Sequence, residues 1–148
     1  MIKIKHKCIK MRQKQEEHHA IVIGLDDYPV SGLASLKGPV NDAEDFYAWL
    51  CDPNGGNLAE KNIHRILSTD FKTASNTETV QPVPNQIEAL FEPFVTGGLQ
   101  GPCGKRLYIF AAGHGFGDPG NMGSTALYAA NAKKNSPGMS RSQIMLTG

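Results

Sequence analysis

Leu107-Tyr108-Ile109-Phe110-Ala111-Ala112-Gly113-His114-Gly115-Phe116-Gly117 is an apolar run that stops at one histidine bracketed by glycines. An unbroken apolar stretch ended by turn-forming residues reads as a strand buried on both faces, as in a parallel α/β sheet. The histidine then falls just past the carboxyl end of that strand, the edge where open α/β sheets bind their ligands. Glycines on either side let the backbone turn and approach a substrate closely, and an imidazole titrates near neutral pH. Two readings of His114 stand side by side: a general base or acid, and a histidine that caps a strand and bonds a neighbouring carbonyl.

Working outward, Ala20-Ile21-Val22-Ile23-Gly24-Leu25 is a second continuous apolar run, ended by Asp26-Asp27-Tyr28-Pro29, and predicts the first strand. Gly38-Pro39 then opens a helix through about Cys51. Proline suits the first helical position, Asp42, Glu44 and Asp45 suit the positive helix end, and Val40, Ala43, Tyr47 and Leu50 follow helical spacing. Asn62 to Leu67 predicts a second strand nearer a sheet edge, completing a right-handed β-α-β unit, with His64 in a solvent-facing slot. His18-His19 reads as the start of the first strand. Thr69 to Val83 lacks periodicity and predicts a loop. Pro84 starts a second helix whose Ile87, Leu90, Phe91 and Phe94 form a core stripe, which Pro93 kinks or ends. Thr125 to Asn131 predicts a strand or half of a hairpin.

The 148 residues, 40% hydrophobic and 20% charged, suffice for one domain with a core. The net charge of +1 is uneven: residues 1 to 17 hold six Lys/Arg and two Glu, a surplus of four positive charges, which leaves the rest at −3. Residues 1-18 therefore predict a basic, disordered tail, 19-132 the domain, and 133-148 a turn-rich, flexible end. The tail lacks the aromatic interleaving of a single-strand binder, so nucleic acid is not an expected partner. No stretch nears the roughly 18 to 20 apolar residues of a membrane span, and Met1 to Lys14 has no signal-peptide core. A cytoplasmic address without membrane association is the expectation. Cys8, Cys51 and Cys103 are odd in number and far apart, which suggests reduced thiols with neither disulfide framework nor metal site.

Gly115-Phe116-Gly117-Asp118-Pro119-Gly120 formally matches G-x-G-x-x-G. The dinucleotide fingerprint needs a helix to begin inside it, whereas Pro119, Gly120, Asn121 and Gly123 predict loop. Asp42 has two readings as well, a complement to the helix dipole and a site residue. If the first strand lies between the second and third, one crevice gathers Asp26, Asp27, the Asp42 helix start and His114. Such an acidic rim beside an imidazole favours a cationic ligand or side chain.

In order, the 20–25 strand with Asp27-Tyr28-Pro29, the Leu36-Lys37-Gly38-Pro39-Val40-Asn41-Asp42-Ala43 helix start, the 62–67 strand and the 107–115 strand ending Gly-His-Gly resemble the caspase-like cysteine peptidases. The likeness is to their metacaspase and bacterial members and covers about residues 19 to 132. It implies a three-layer, Rossmann-like α/β fold with a mostly parallel sheet flanked by helices, incomplete at the C-terminus. It also implies endopeptidase chemistry by a Cys-His dyad on a protein or peptide substrate. Carried onto this sequence, His114 corresponds to the general base, the Gly115 N–H to part of the oxyanion hole, and Asp42, with Asp27 nearby, to the acceptor of an Arg or Lys side chain. Calcium enters only as a family cofactor; none of these residues singles it out, so no cofactor is assigned. Pro39 stands where many relatives have Cys, and Ala112 where Ser is frequent.

The nucleophilic Cys of that family follows the next core strand in an Asp-x-Cys or Asp-Cys-Cys segment, which is not found before Gly148. Cys103 precedes the His114 strand and is expected about 20 Å away at the opposite sheet edge, at ~3.3 Å per extended residue. Cys51 closes a helix that runs back from the active edge, and Cys8 lies in the tail. A thiolate needs to come within about 3 Å of the imidazole. The chain is thus expected to hold the histidine of a peptidase and not its nucleophile, and to be inactive alone. Two other classes remain: a non-catalytic binding or regulatory module, self-associating through an open sheet edge, and a nucleotide-binding protein.

Overall fold

Uninterrupted aliphatic side chains can be buried on both faces only if the strand lies inside a sheet with cover above and below. Ala20 to Ile23 meet that condition and are fully buried in strand β1 (His18–Gly24). The structure, a computed structural model, describes residues 14–30, 32–72, 80–95, 105–118, 121–132 and 143–145. In it β1 is the middle of a parallel sheet, between β2 (Ile63–Leu67) and β3 (Arg106–Ala112). Ile21 lies opposite His64 on one side and Ile109 on the other. The order β2-β1-β3 meets the condition on which the crevice depended.

Helix α1 (Pro39–Cys51) crosses from β1 to β2 and covers one face of the sheet. Its Val40, Ala43 and Leu50 pack with Ala20, Val22, Leu58 and Leu67. The other face is covered by two short helices, α2 (Pro84–Glu88) and α3 (Glu92–Val95), and the turn between them; Ile87, Leu90, Phe91 and Phe94 join Ile21, Ile23, Leu25 and Ile66. The expected core stripe is present, but the helix breaks at 89–91, ahead of Pro93. A proline removes an N–H and clashes with the preceding turn, so it sits comfortably only near a helix start, as it does in α3.

His64 departs from the solvent-facing expectation. Its ring is half-buried and stands perpendicular to Phe94 with centroids 5.4 Å apart, while His19 meets the same ring at 5.6 Å. The register puts both histidines on the α3 side of the sheet, and burial beside His64 lowers the His19 pKa.

A second sheet follows, antiparallel in the order β4-β5-β6: β4 (Gly115–Asp118), β5 (Asn121–Tyr128) and β6 (Gln143–Met145). Asn121 and Gly123 are thus in a strand where loop was expected, because β4 and β5 pair in a ladder that local composition does not disclose. Residues 14 to 17 of the expected tail are tied to the domain. Gln15 bridges to Leu58, and Glu16 and Glu17 pair with Lys61 and Lys105. The tail before Lys14, the central part of the 69–83 loop, Cys8, Cys103 and most of the 133–148 end lie outside the described residues. Among the described residues, no helix is long and apolar enough to cross a membrane.

Candidate functional site

The carboxyl ends of all three parallel strands, and the start of α1, meet at one edge. Gly24 makes the junction between β1 and α1 possible: a Cβ there would stand 2.8 Å from both the Ala43 Cβ and the Pro39 carbonyl oxygen. Asp26 fastens the helix start, its Oδ1 accepting the Val40 N–H at 3.1 Å, so the carboxylate serves as a cap supplied from outside the helix. Ser68, just past β2, accepts both the Asp26 and Asp27 N–H groups through its hydroxyl oxygen, at 3.0 and 3.2 Å. The Leu25 N–H reaches the Ala112 carbonyl at 2.9 Å, which continues the β1–β3 ladder to the edge.

His114 leaves β3 at this edge and is held from two directions. Its backbone N–H donates to the Tyr28 hydroxyl oxygen at 2.9 Å, and its ring Nε2 lies 2.8 Å from the Ala34 carbonyl oxygen. A carbonyl only accepts, so the neutral ring carries its proton on Nε2 and leaves the lone pair on Nδ1. The Tyr28 ring meets the imidazole edge-on with centroids 4.9 Å apart. Gly113 permits this approach: at φ +157° it has no room for a side chain, since a Cβ would fall 2.5 Å from the Tyr28 Oη. Tyr28 is buried, and that burial pushes its phenol up to about 12.

Gly115 pairs with Leu127, and the Tyr128 N–H donates to the His114 carbonyl at 2.9 Å. Antiparallel ladders alternate hydrogen-bonded and non-hydrogen-bonded pairs, so Gly115 falls in a non-bonded pair and its N–H points away from β5. An exposed backbone donor therefore sits next to the imidazole. Asp27 Oδ1 accepts from the Ser35 hydroxyl at 3.4 Å, one residue after the carbonyl that holds His114. Asp42 is exposed in the first turn of α1. Both carboxylates lie on the expected rim, and neither makes a hydrogen bond or ion pair with His114.

Three groups at this edge were not singled out as site residues from the sequence. Tyr28 had a signal in principle, since a buried tyrosine hydroxyl needs a partner. The Ala34 carbonyl had none, because a main-chain acceptor is invisible to residue identity, and Ser68 reads only as a turn residue. Cys51 ends α1 at the opposite edge, where its carbonyl accepts the Lys14 ammonium at 2.8 Å ahead of β1. Among the described residues, no group of three His, Cys, Asp or Glu side chains is placed to hold a metal. The glycine-rich segment after His114 enters a strand and opens no helix, so the phosphate-facing helix end of a dinucleotide site is missing there. Comparison with protein-family models and with curated proteins finds no match to this chain.

Proposed function

We propose that this edge is the histidine half of a caspase-like cysteine endopeptidase site, binding a peptide whose Arg or Lys side chain is drawn to the Asp27–Asp42 rim. The observation that carries it is the anchoring of His114 by the Ala34 carbonyl, which reserves Nδ1 as the base beside an outward-facing Gly115 N–H. In a complete site a thiol gives its proton to Nδ1, the thiolate attacks the peptide carbonyl, and Gly115 N–H stabilises the oxyanion. Among the described residues Cys51 is the one cysteine, and it sits at the wrong edge for that role.

Binding tests the reading without needing turnover. A fluorescent peptide amide ending in Arg should bind the full chain about tenfold more tightly than its Glu-ended counterpart, a difference of ~1.4 kcal/mol, and Asp42→Asn should remove most of that preference. Equal affinity for the two peptides, or a preference untouched by Asp42→Asn, contradicts the assignment.

A further inference from the structure

Strand β3 ends the parallel sheet, and no described strand pairs with its outer edge. An edge of this kind presents a row of unpaired N–H and C=O groups, and natural proteins usually blunt it with charges, bulges or cover. Here the only charge in β3 is Arg106, at its first residue. Ile109, the middle residue, is 54% exposed. On the opposite face Tyr108 and Phe110 continue into α1: Phe46 stacks on Phe110 at 5.0 Å and on Trp49 at 5.6 Å, and Trp49 is exposed. The edge is therefore apolar on both faces and fits another buried-type strand.

We propose that the occupant is β3 of a second copy, paired antiparallel about a two-fold axis through Ile109. The sequence of β3 is self-complementary in that register. Ile109 meets the second copy's Ile109, Tyr108 meets Phe110, Leu107 meets Ala111, and Arg106 meets Ala112. The exposed isoleucines cover one another, each large side chain on the Ile109 face other than Ile109 itself faces a small one, and the guanidinium groups sit at opposite ends, about 20 Å apart at ~3.3 Å per residue. In-register parallel pairing would instead set Arg106 beside Arg106, a like-charge contact. The antiparallel interface is isologous and closes at two, giving one six-stranded sheet with the His114 edges at opposite ends. A net charge of +1 offers little repulsion to the pairing. The proposal stands whether or not that edge binds peptide.

The test is the mass of the full chain in solution together with a crosslink. Sedimentation should give twice the chain mass, with dissociation on dilution. Ile109→Lys, at an exposed position, should give a monomer with unchanged circular dichroism that melts where the natural chain does when diluted to its monomer. In a chain carrying Cys8→Ser, Cys51→Ser and Cys103→Ser, adding Ile109→Cys should yield a disulfide-linked dimer under mild oxidation, because directly opposed residues on paired strands have Cβ atoms about 5 Å apart. Trp49→Cys in that background, exposed but away from the axis, should not crosslink. A monomer at every concentration, a dimer that survives Ile109→Lys, or crosslinking at Trp49→Cys but not at Ile109→Cys overturns the proposal.

Discussion

Tyr28 holds His114 through a hydroxyl oxygen that accepts a backbone N–H inside the protein. The phenol is raised from its ordinary 10 to about 12 by burial, so the folded state prefers it protonated. A folded pKa above the unfolded one contributes stability that is complete below pH 10 and is lost as pH rises through 12, on the order of 2 kcal/mol. Tyr28→Phe leaves the His114 N–H without its acceptor, so it should cost about 1 to 2 kcal/mol at neutral pH. The variant should also lose less stability than the natural chain between pH 10 and 12, and urea unfolding across that range checks both. Parallel curves for the two proteins would contradict the role given to the hydroxyl. At this scale the sequence was only partly legible. His114 stood out between its glycines, yet what fixes its ring is a carbonyl at Ala34, and main-chain acceptors leave no trace in residue identity.

The elements were more readable, because burial on both faces forces continuous apolar runs. β1, α1, β2 and β3 lie where periodicity and the Gly38-Pro39 start put them. The misses share a cause in tertiary context. Asn121 and Gly123 became strand because β5 pairs with β4, and His64 was drawn inward by Phe94 from a helix distant in sequence. The β1–α1 junction depends on Gly24, against which Ala43 and the Pro39 carbonyl press too closely for any Cβ. Gly24→Ala should push the helix start away from the sheet and destabilise the protein by about 1 to 3 kcal/mol. Thermal or urea unfolding reads this directly; a neutral effect would mean that the helix start yields without cost.

Across the whole molecule, the strand order β2-β1-β3 turns four separated sequence segments into one rim. Asp27, the Asp42 turn, Ser68 and His114 come from chain positions far apart, and the middle placement of β1 brings them to the same edge of the sheet. That order was anticipated only as a condition, since strand runs alone do not fix which strand is central. The cover of β3 was less legible still, because exposure of Ile109 is a property of packing and not of composition. The proposed function requires that this rim receive a cationic peptide beside the imidazole. Its most direct measurement is amide-resolved NMR of the full chain titrated with an Arg-ended peptide amide and, separately, with a dinucleotide. The peptide should shift the amides of Asp27, Asp42, His114 and Gly115 while those around Cys51 and Lys14 stay still, and the dinucleotide should shift none of them. Peptide-induced shifts confined to the Cys51 edge, or a rim that answers the dinucleotide and ignores the peptide, would contradict it.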